Sequence, residues 1–168
     1  MSKYSIATST GFAEYHDERG RDVPGTWDDA KINAALLVAS EWLDDTFGKS
    51  FIGEKTGGFL QEREWPRVNA VTRDPRYSYA FPSDAIPVNV IKAVYEAAYR
   101  EAQTPGVLLV DYTPEKFKSV SVDGAVAVQY RQFSSASETQ LSIPIIERLI
   151  HDLIYDDNGS SFSGRLTR

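Results

Sequence analysis

A chain of 168 residues with 42% hydrophobic and 25% charged side chains has the length and usage of one folded domain with tails, which excludes a disordered segment over most of its length. A net charge of -6 sets an average field that repels nucleic acid and anionic membrane, so any DNA contact has to be local; the absence of cysteine removes disulfides, thiolate nucleophiles and cysteine-built zinc sites. No apolar run approaches the ~20 residues of a membrane span, and Met1-Ser2-Lys3-Tyr4-Ser5-Ile6 lacks a signal-peptide core, which predicts a protein made and kept in the cytosol unless an assembly carries it elsewhere.

Residues 1–25 place Ser, Thr and Gly around Phe12 and Tyr15 and end in Val23-Pro24-Gly25, the pattern of an arm and a turn with at most a short helix near Phe12 to Glu18. Thr26 is the expected cap of a first long helix, with Asp28 and Asp29 in its first turn, where the positive end of the helix dipole favours carboxylates. Ile32, Leu36, Ala39, Leu43 and Phe47 recur at spacings of three and four, Trp42 widens that stripe, and Gly48 supplies the stop.

Gly53, Gly57, Gly58, Pro66 and Pro75 break residues 48–81 too often for a long regular element, so an ordered loop is expected there, pinned to the helices by Trp65, Tyr77, Tyr79 and Phe81. Pro87 is expected at the first position of a second long helix opened by Ser83 or Asp84, with Val88, Ile91, Tyr95, Ala98 and Ala102 on its buried face and Thr104-Pro105-Gly106 at its end. Val107 to Tyr112 is a short apolar run. Lys118 to Arg131 alternates around Asp123-Gly124 as a hairpin. A bulged Gly124 would set Val120, Val126 and Val128 on one dry face, whereas a two-residue turn would leave valines on both; the bulged register is expected. Ser134 to Thr139 is a polar linker. Pro144 opens a third helix, with Ile145, Leu149, Leu153 and Ile146, Ile150, Ile154 as two adjacent stripes. The fold class is therefore mainly α with a small β-hairpin: a bundle of three main helices with long ordered loops and flexible terminal arms. Residues 1–155 form one domain, and 156–168 form a polar linker with an apolar and basic tip, the pattern of a docking tail.

The chemistry-bearing residues do not assemble into a catalytic or metal site. His16 stands beside Asp17 and Glu18 in what reads as a solvated arm, His151 beside Asp152 on an outer helix face, and neither has the ligands of a metal site or a nucleophile to activate. Glu41, Asp44 and Asp45 fall on the polar side of a helix, where solvated charge is the default. Gly53, Gly57 and Gly58 lack the Lys-Ser/Thr of a phosphate loop. Arg63, Trp65, Arg67, Arg73, Arg76, Tyr77 and Tyr79 are the best candidates for holding a single strand, by stacking along a basic groove. Glu62, Glu64 and Asp74 offset those arginines nearly one for one, so inter-subunit or intramolecular pairing is favoured over strand binding. No catalytic residue, metal or cofactor is expected.

Trp27 with Ala35, Leu36, Ala39 and Trp42-Leu43-Asp44, then Leu60-Gln61 to Trp65-Pro66-Arg67, then Pro82-Ser83-Asp84, Ile86-Pro87 and Val90, Lys92 and Ala93, resemble in their order the head-tail connector adaptor proteins of tailed bacteriophages, some of which are catalogued as DnaT-like single-stranded-DNA-binding proteins. Val126-Ala127-Val128-Gln129-Tyr130, Ile143-Pro144 and Ser163-Gly164-Arg165-Leu166 extend the likeness over most of the chain. The resemblance implies a non-enzymatic helical adaptor in the virion neck, made in the host cytoplasm. It would form a ring, usually dodecameric, beneath the portal protein and offer a surface to the next neck or tail protein, while DNA passes through without specific binding and no membrane is involved. By position, Phe162, Arg165, Leu166 and Arg168 would reach the portal. Arg63, Trp65, Arg67, Arg76, Tyr77 and Tyr79 would lie at a subunit or neck interface. The competing expectation is a single-strand-binding replication accessory.

Overall fold

Four helices and one small antiparallel sheet make up the fold in a computed structural model that describes Tyr4 and residues 7–72, 78–109 and 143–155. In chain order these are α1 (Ser9–Asp17), α2 (Asp29–Phe47), strands β1 (Glu54–Lys55) and β2 (Arg67–Val68), α3 (Val88–Gln103) and α4 (Pro144–Ile150). Helix α3 is the centre, packed by α2, α4 and α1.

The first helix starts one turn earlier than its sequence suggested, because the Thr8 hydroxyl caps it by accepting from Gly11 N–H at 3.0 Å. Asp28, not Thr26, caps α2: Trp27 N–H bonds back to Pro24 C=O at 2.8 Å, which leaves Thr26 in the preceding turn and Asp28 free to accept from Lys31 N–H at 2.8 Å. Ile32, Leu36, Ala39 and Leu43 are buried as their spacing requires, with Ala35, Ser40 and Trp42 beside them and Phe47 at the rim. Gly48 ends α2 with an ordinary right-handed φ of -54°; small size is what the position requires, since a Cβ there would lie 2.4 Å from the Asp44 carbonyl and 2.9 Å from Glu64 Cγ.

Pro87 sits one place before the first helical residue of α3, with φ -57°. Val88, expected at the head of the buried stripe, is 65% exposed. The buried apolar set is Val90, Ile91, Ala93, Val94, Tyr95, Ala97, Ala98 and Ala102, wider than one stripe because α1, α2 and α4 all pack on the helix. Of the two stripes on the last helix, Ile146, Ile150 and Leu153 enter the core while Ile145, Leu149 and Ile154 lie at its edge, and α4 closes as a 3-10 turn over His151–Leu153. Leu108 is buried in a 3-10 turn, Val107–Leu109, that begins the short apolar run.

The segment between α2 and α3 holds the sheet that its breakers did not announce. Glu54 pairs with Val68 and Lys55 with Arg67. Gly53 makes the pairing possible: its φ is +73° and a Cβ would meet Val68 O at 2.4 Å. The same segment ties down the end of the domain, through Ile52 N–H to Leu153 C=O at 2.9 Å and Tyr155 N–H to Ser50 C=O at 2.7 Å. The hairpin expected over Lys118 to Arg131, the Ser134 to Thr139 linker and the 156–168 tail lie outside the described residues.

Candidate functional site

Of the residues singled out for strand or subunit contact, Arg63, Trp65 and Arg67 are interior, at 8%, 1% and 7% exposure. Trp65 stands edge-on to Phe51 and Phe81, with ring centroids 5.7 and 5.8 Å away, and so pins the loop as its aromatic content suggested. The Arg67 guanidinium fills a cage of oxygens. Its Nε donates to Ile52 O at 2.9 Å, Nη2 to Gly53 O at 2.7 Å and Phe51 O at 3.4 Å, and Nη1 to Glu64 Oε2 at 2.6 Å and Glu64 O at 3.3 Å. A planar fork with five N–H donors is the one side chain able to serve so many acceptors at once. Glu64 is shared, its other oxygen 3.0 Å from Lys55 Nζ.

Arg63 lies against α2, with Nη1 3.2 Å from Asp44 Oδ2 and Nη2 4.0 Å from Glu41 Oε1. Asp44 also accepts from the Tyr4 hydroxyl at 2.5 Å and from Glu64 N–H at 3.3 Å. The expectation of a solvated Asp44 is thus corrected: the side chain is 10% exposed because the N-terminal arm and the loop close over that turn of α2. Burial pushes the Asp44 carboxyl up to about 6, against the downward pull of Tyr4, Arg63 and the Glu64 N–H. Burial, with Asp44 beside it, raises the Tyr4 phenol as well.

A second polar centre joins α1 to α3. Glu96 has no exposed surface and accepts from Arg21 Nη1 at 2.7 Å, Tyr15 Oη at 3.1 Å and Arg100 Nη1 at 3.2 Å. Burial pushes its carboxyl up, but the bonds from Arg21, Arg100 and Tyr15 outweigh that and hold it below the ordinary glutamate value. His16, read from the sequence as solvated, is fully buried among Phe12, Tyr15 and Tyr99, with ring centroids 4.5 to 5.0 Å away. Its Nε2 lies 3.2 Å from Tyr95 O; a carbonyl only accepts, so Nε2 carries the proton, and burial lowers the imidazole below its usual range. The correction has a simple cause: α1 folds back onto α3 and takes the arm into the core.

Tyr79 is 54% exposed with its ring edge-on to Phe81 at 5.0 Å, while Phe59 and Leu60, to which the sequence assigned no contact role, are 99% and 89% exposed. Arg73, Arg76, Tyr77, Phe162, Arg165, Leu166 and Arg168 lie outside the described residues. His151 is exposed, 3.2 Å from the also exposed Asp152. Among the described residues no cluster of three or more His, Asp or Glu side chains could hold a metal ion. Among the described residues, Arg63 pairs with Asp44, and Arg67 pairs with Glu64 and satisfies loop carbonyls. Sequence alone showed the charge balance of the segment but not the burial, and Glu96 carried no signal beyond being an acid between two apolar positions.

A family model described as "Putative DnaT-like ssDNA binding protein" matches residues 4–168. No curated protein and no solved structure matches the chain.

Proposed function

This chain belongs to the DnaT-like family, and within it we propose a structural role: a head-tail connector of a tailed phage, forming a ring beneath the portal and passing DNA without gripping it. The observation that supports this reading most is the fate of the basic segment. A strand-binding groove needs solvent-facing cations and aromatic faces, whereas Arg63, Trp65 and Arg67 are spent inside the subunit on Asp44, Glu64, four loop carbonyls and two aromatic rings. A chain of net charge -6 lining a channel repels DNA, as a conduit requires. In this proposal the portal takes Phe162, Arg165, Leu166 and Arg168, whose apolar and guanidinium groups suit pockets and carboxylates. The neck partner meets the Tyr79 side, and the protein works in the virion without catalysis or cofactor.

The second reading, a single-stranded-DNA-binding replication accessory, is the one the family's description favours. Fluorescence anisotropy of the full chain with a labelled oligonucleotide separates the two. The connector role goes with affinity weaker than about micromolar at physiological salt; binding tighter than that, with a steep loss as salt rises, establishes the accessory role instead.

A further inference from the structure

The seam between α1 and α3 encloses a histidine and a glutamate, and each loses by gaining a proton. His16 is fully buried; its Nε2 is engaged with Tyr95 O, while its Nδ1 has no hydrogen-bond partner. Protonation would place a second N–H at Nδ1, inside the cage of Phe12, Tyr15 and Tyr99, where no acceptor lies within bonding distance. Glu96 of α3 favours an imidazolium, but its carboxylate already serves Arg21, Arg100 and Tyr15, and Arg21 and Arg19, from the turn after α1, oppose a further cation. Burial prevails, and the docked imidazole is held below its ordinary 6.5. Protonating Glu96 in turn removes the charge that Arg21 and Arg100 pair with.

The fold sets which element yields. Helix α1 lies at the chain terminus, packs on α3 less extensively than α2 and α4 do, and is joined to α2 through Gly20, at φ +63°, and Pro24-Gly25. Three bonds across the seam end on the two proton-sensitive groups or start from them: Tyr15 Oη to Glu96 at 3.1 Å, Arg21 Nη1 to Glu96 at 2.7 Å and His16 Nε2 to Tyr95 O at 3.2 Å. We propose that α1 is an acid-sensitive strap: protonation of His16, followed by that of Glu96, frees it from α3 and uncovers the Tyr95 and Tyr99 face while α2, α3 and α4 stay packed. An imidazole held below its ordinary value contributes fully above 6.5 and loses that contribution as pH falls through the docked value, one proton shifting the balance by at most about tenfold per pH unit. Asp44 of α2, which holds Tyr4 further along the arm, acts in the opposite sense, since its carboxyl is raised. The strap is a property of a single copy and rests on neither function above.

The test is amide hydrogen exchange of the full chain read by NMR at about pH 7.5 and about pH 5, for the wild type and for His16→Phe, which fills the cage without titrating. Protection factors are corrected for intrinsic exchange, and comparing the two proteins at each pH cancels the contributions of Asp44 and Glu96. Between the two pH values, protection of the Ala13 and Tyr15 amides should fall at least about fivefold further in the wild type than in the variant, while the Leu36 and Val94 amides of α2 and α3 keep theirs. Equal behaviour of the two proteins, or a loss that Leu36 and Val94 share, overturns the strap. Titration of the ring protons in the wild type serves if the variant does not fold, with His151→Gln to assign the signals of the two histidines. A His16 ring that titrates below 6.5 in step with the loss of α1 protection supports the strap; one that titrates at or above that value, or below it with α1 protection intact, overturns it.

Discussion

Replacing Arg67 by Met removes the guanidinium while keeping a chain of similar reach. It orphans the carbonyls of Phe51, Ile52 and Gly53 and leaves Glu64 with Lys55 as its remaining ion-pair partner. Removing one member of a buried, hydrogen-bonded charge pair costs about 3–5 kcal/mol, a large part of the roughly 5–15 kcal/mol that holds a domain together. For a chain of this size, about 4 kcal/mol lowers Tm by about 8–16 °C. Arg67→Lys should recover less than half, because an ammonium offers three donors from one point and cannot span oxygens on both sides of the loop. Guanidinium and thermal unfolding followed by circular dichroism read both variants. A loss below about 1 kcal/mol would show that Arg67 is not the brace of the loop. Any strand binding that vanished with it would then be direct.

Gly53→Ala should destabilise by about 1–3 kcal/mol in the same unfolding assay, since it forces a side chain into positive φ and against Val68 O; an unchanged midpoint would mean that the sheet yields without cost. Asp44 and Glu96 should respond to pH in opposite senses. The folded value of Asp44, about 6, lies above its ordinary 3.8, so its contribution is full below about 3.8 and is lost as pH rises through about 6, a change of about 3 kcal/mol. Asp44→Asn should therefore gain on the wild type between pH 4 and pH 7 on the scale of that window, and a pH-independent difference would contradict the burial argument. Glu96 is held below its ordinary 4.5, so its contribution is present above that value and is lost as pH falls through the folded one; the penalty of Glu96→Gln should shrink on acidification, and a penalty growing towards acid would refute the pairing.

The helices were legible because apolar spacing reports one-sided packing directly: Ile32, Leu36, Ala39 and Leu43 fell where spacing put them. Val88 misled because α1, α2 and α4 all pack on α3, and one-stripe periodicity loses its phase when most of a helix is buried. The polar interior was not legible. Tyr15 and Glu96 are 81 positions apart, Tyr4 and Asp44 40, so nothing local told that these acids would be enclosed rather than solvated. Strands of two residues each, joined only after Gly53 turns the chain, leave no alternation to read. For the candidate site, the near balance of arginines and acids left inter-subunit and intramolecular pairing both open, and Arg63 and Arg67 take the intramolecular one. It could not point to Phe59 and Leu60, whose exposure is a property of the folded loop.

Cryo-electron microscopy of tailed-phage particles assembled with this chain tests the proposed connector role most directly. The account predicts α2 and α3 of this chain, repeated as a closed ring between the portal and the next neck or tail component, with the channel clear for DNA. A particle without the chain at that position, together with recovery of the protein on single-stranded DNA from infected cells, would contradict it.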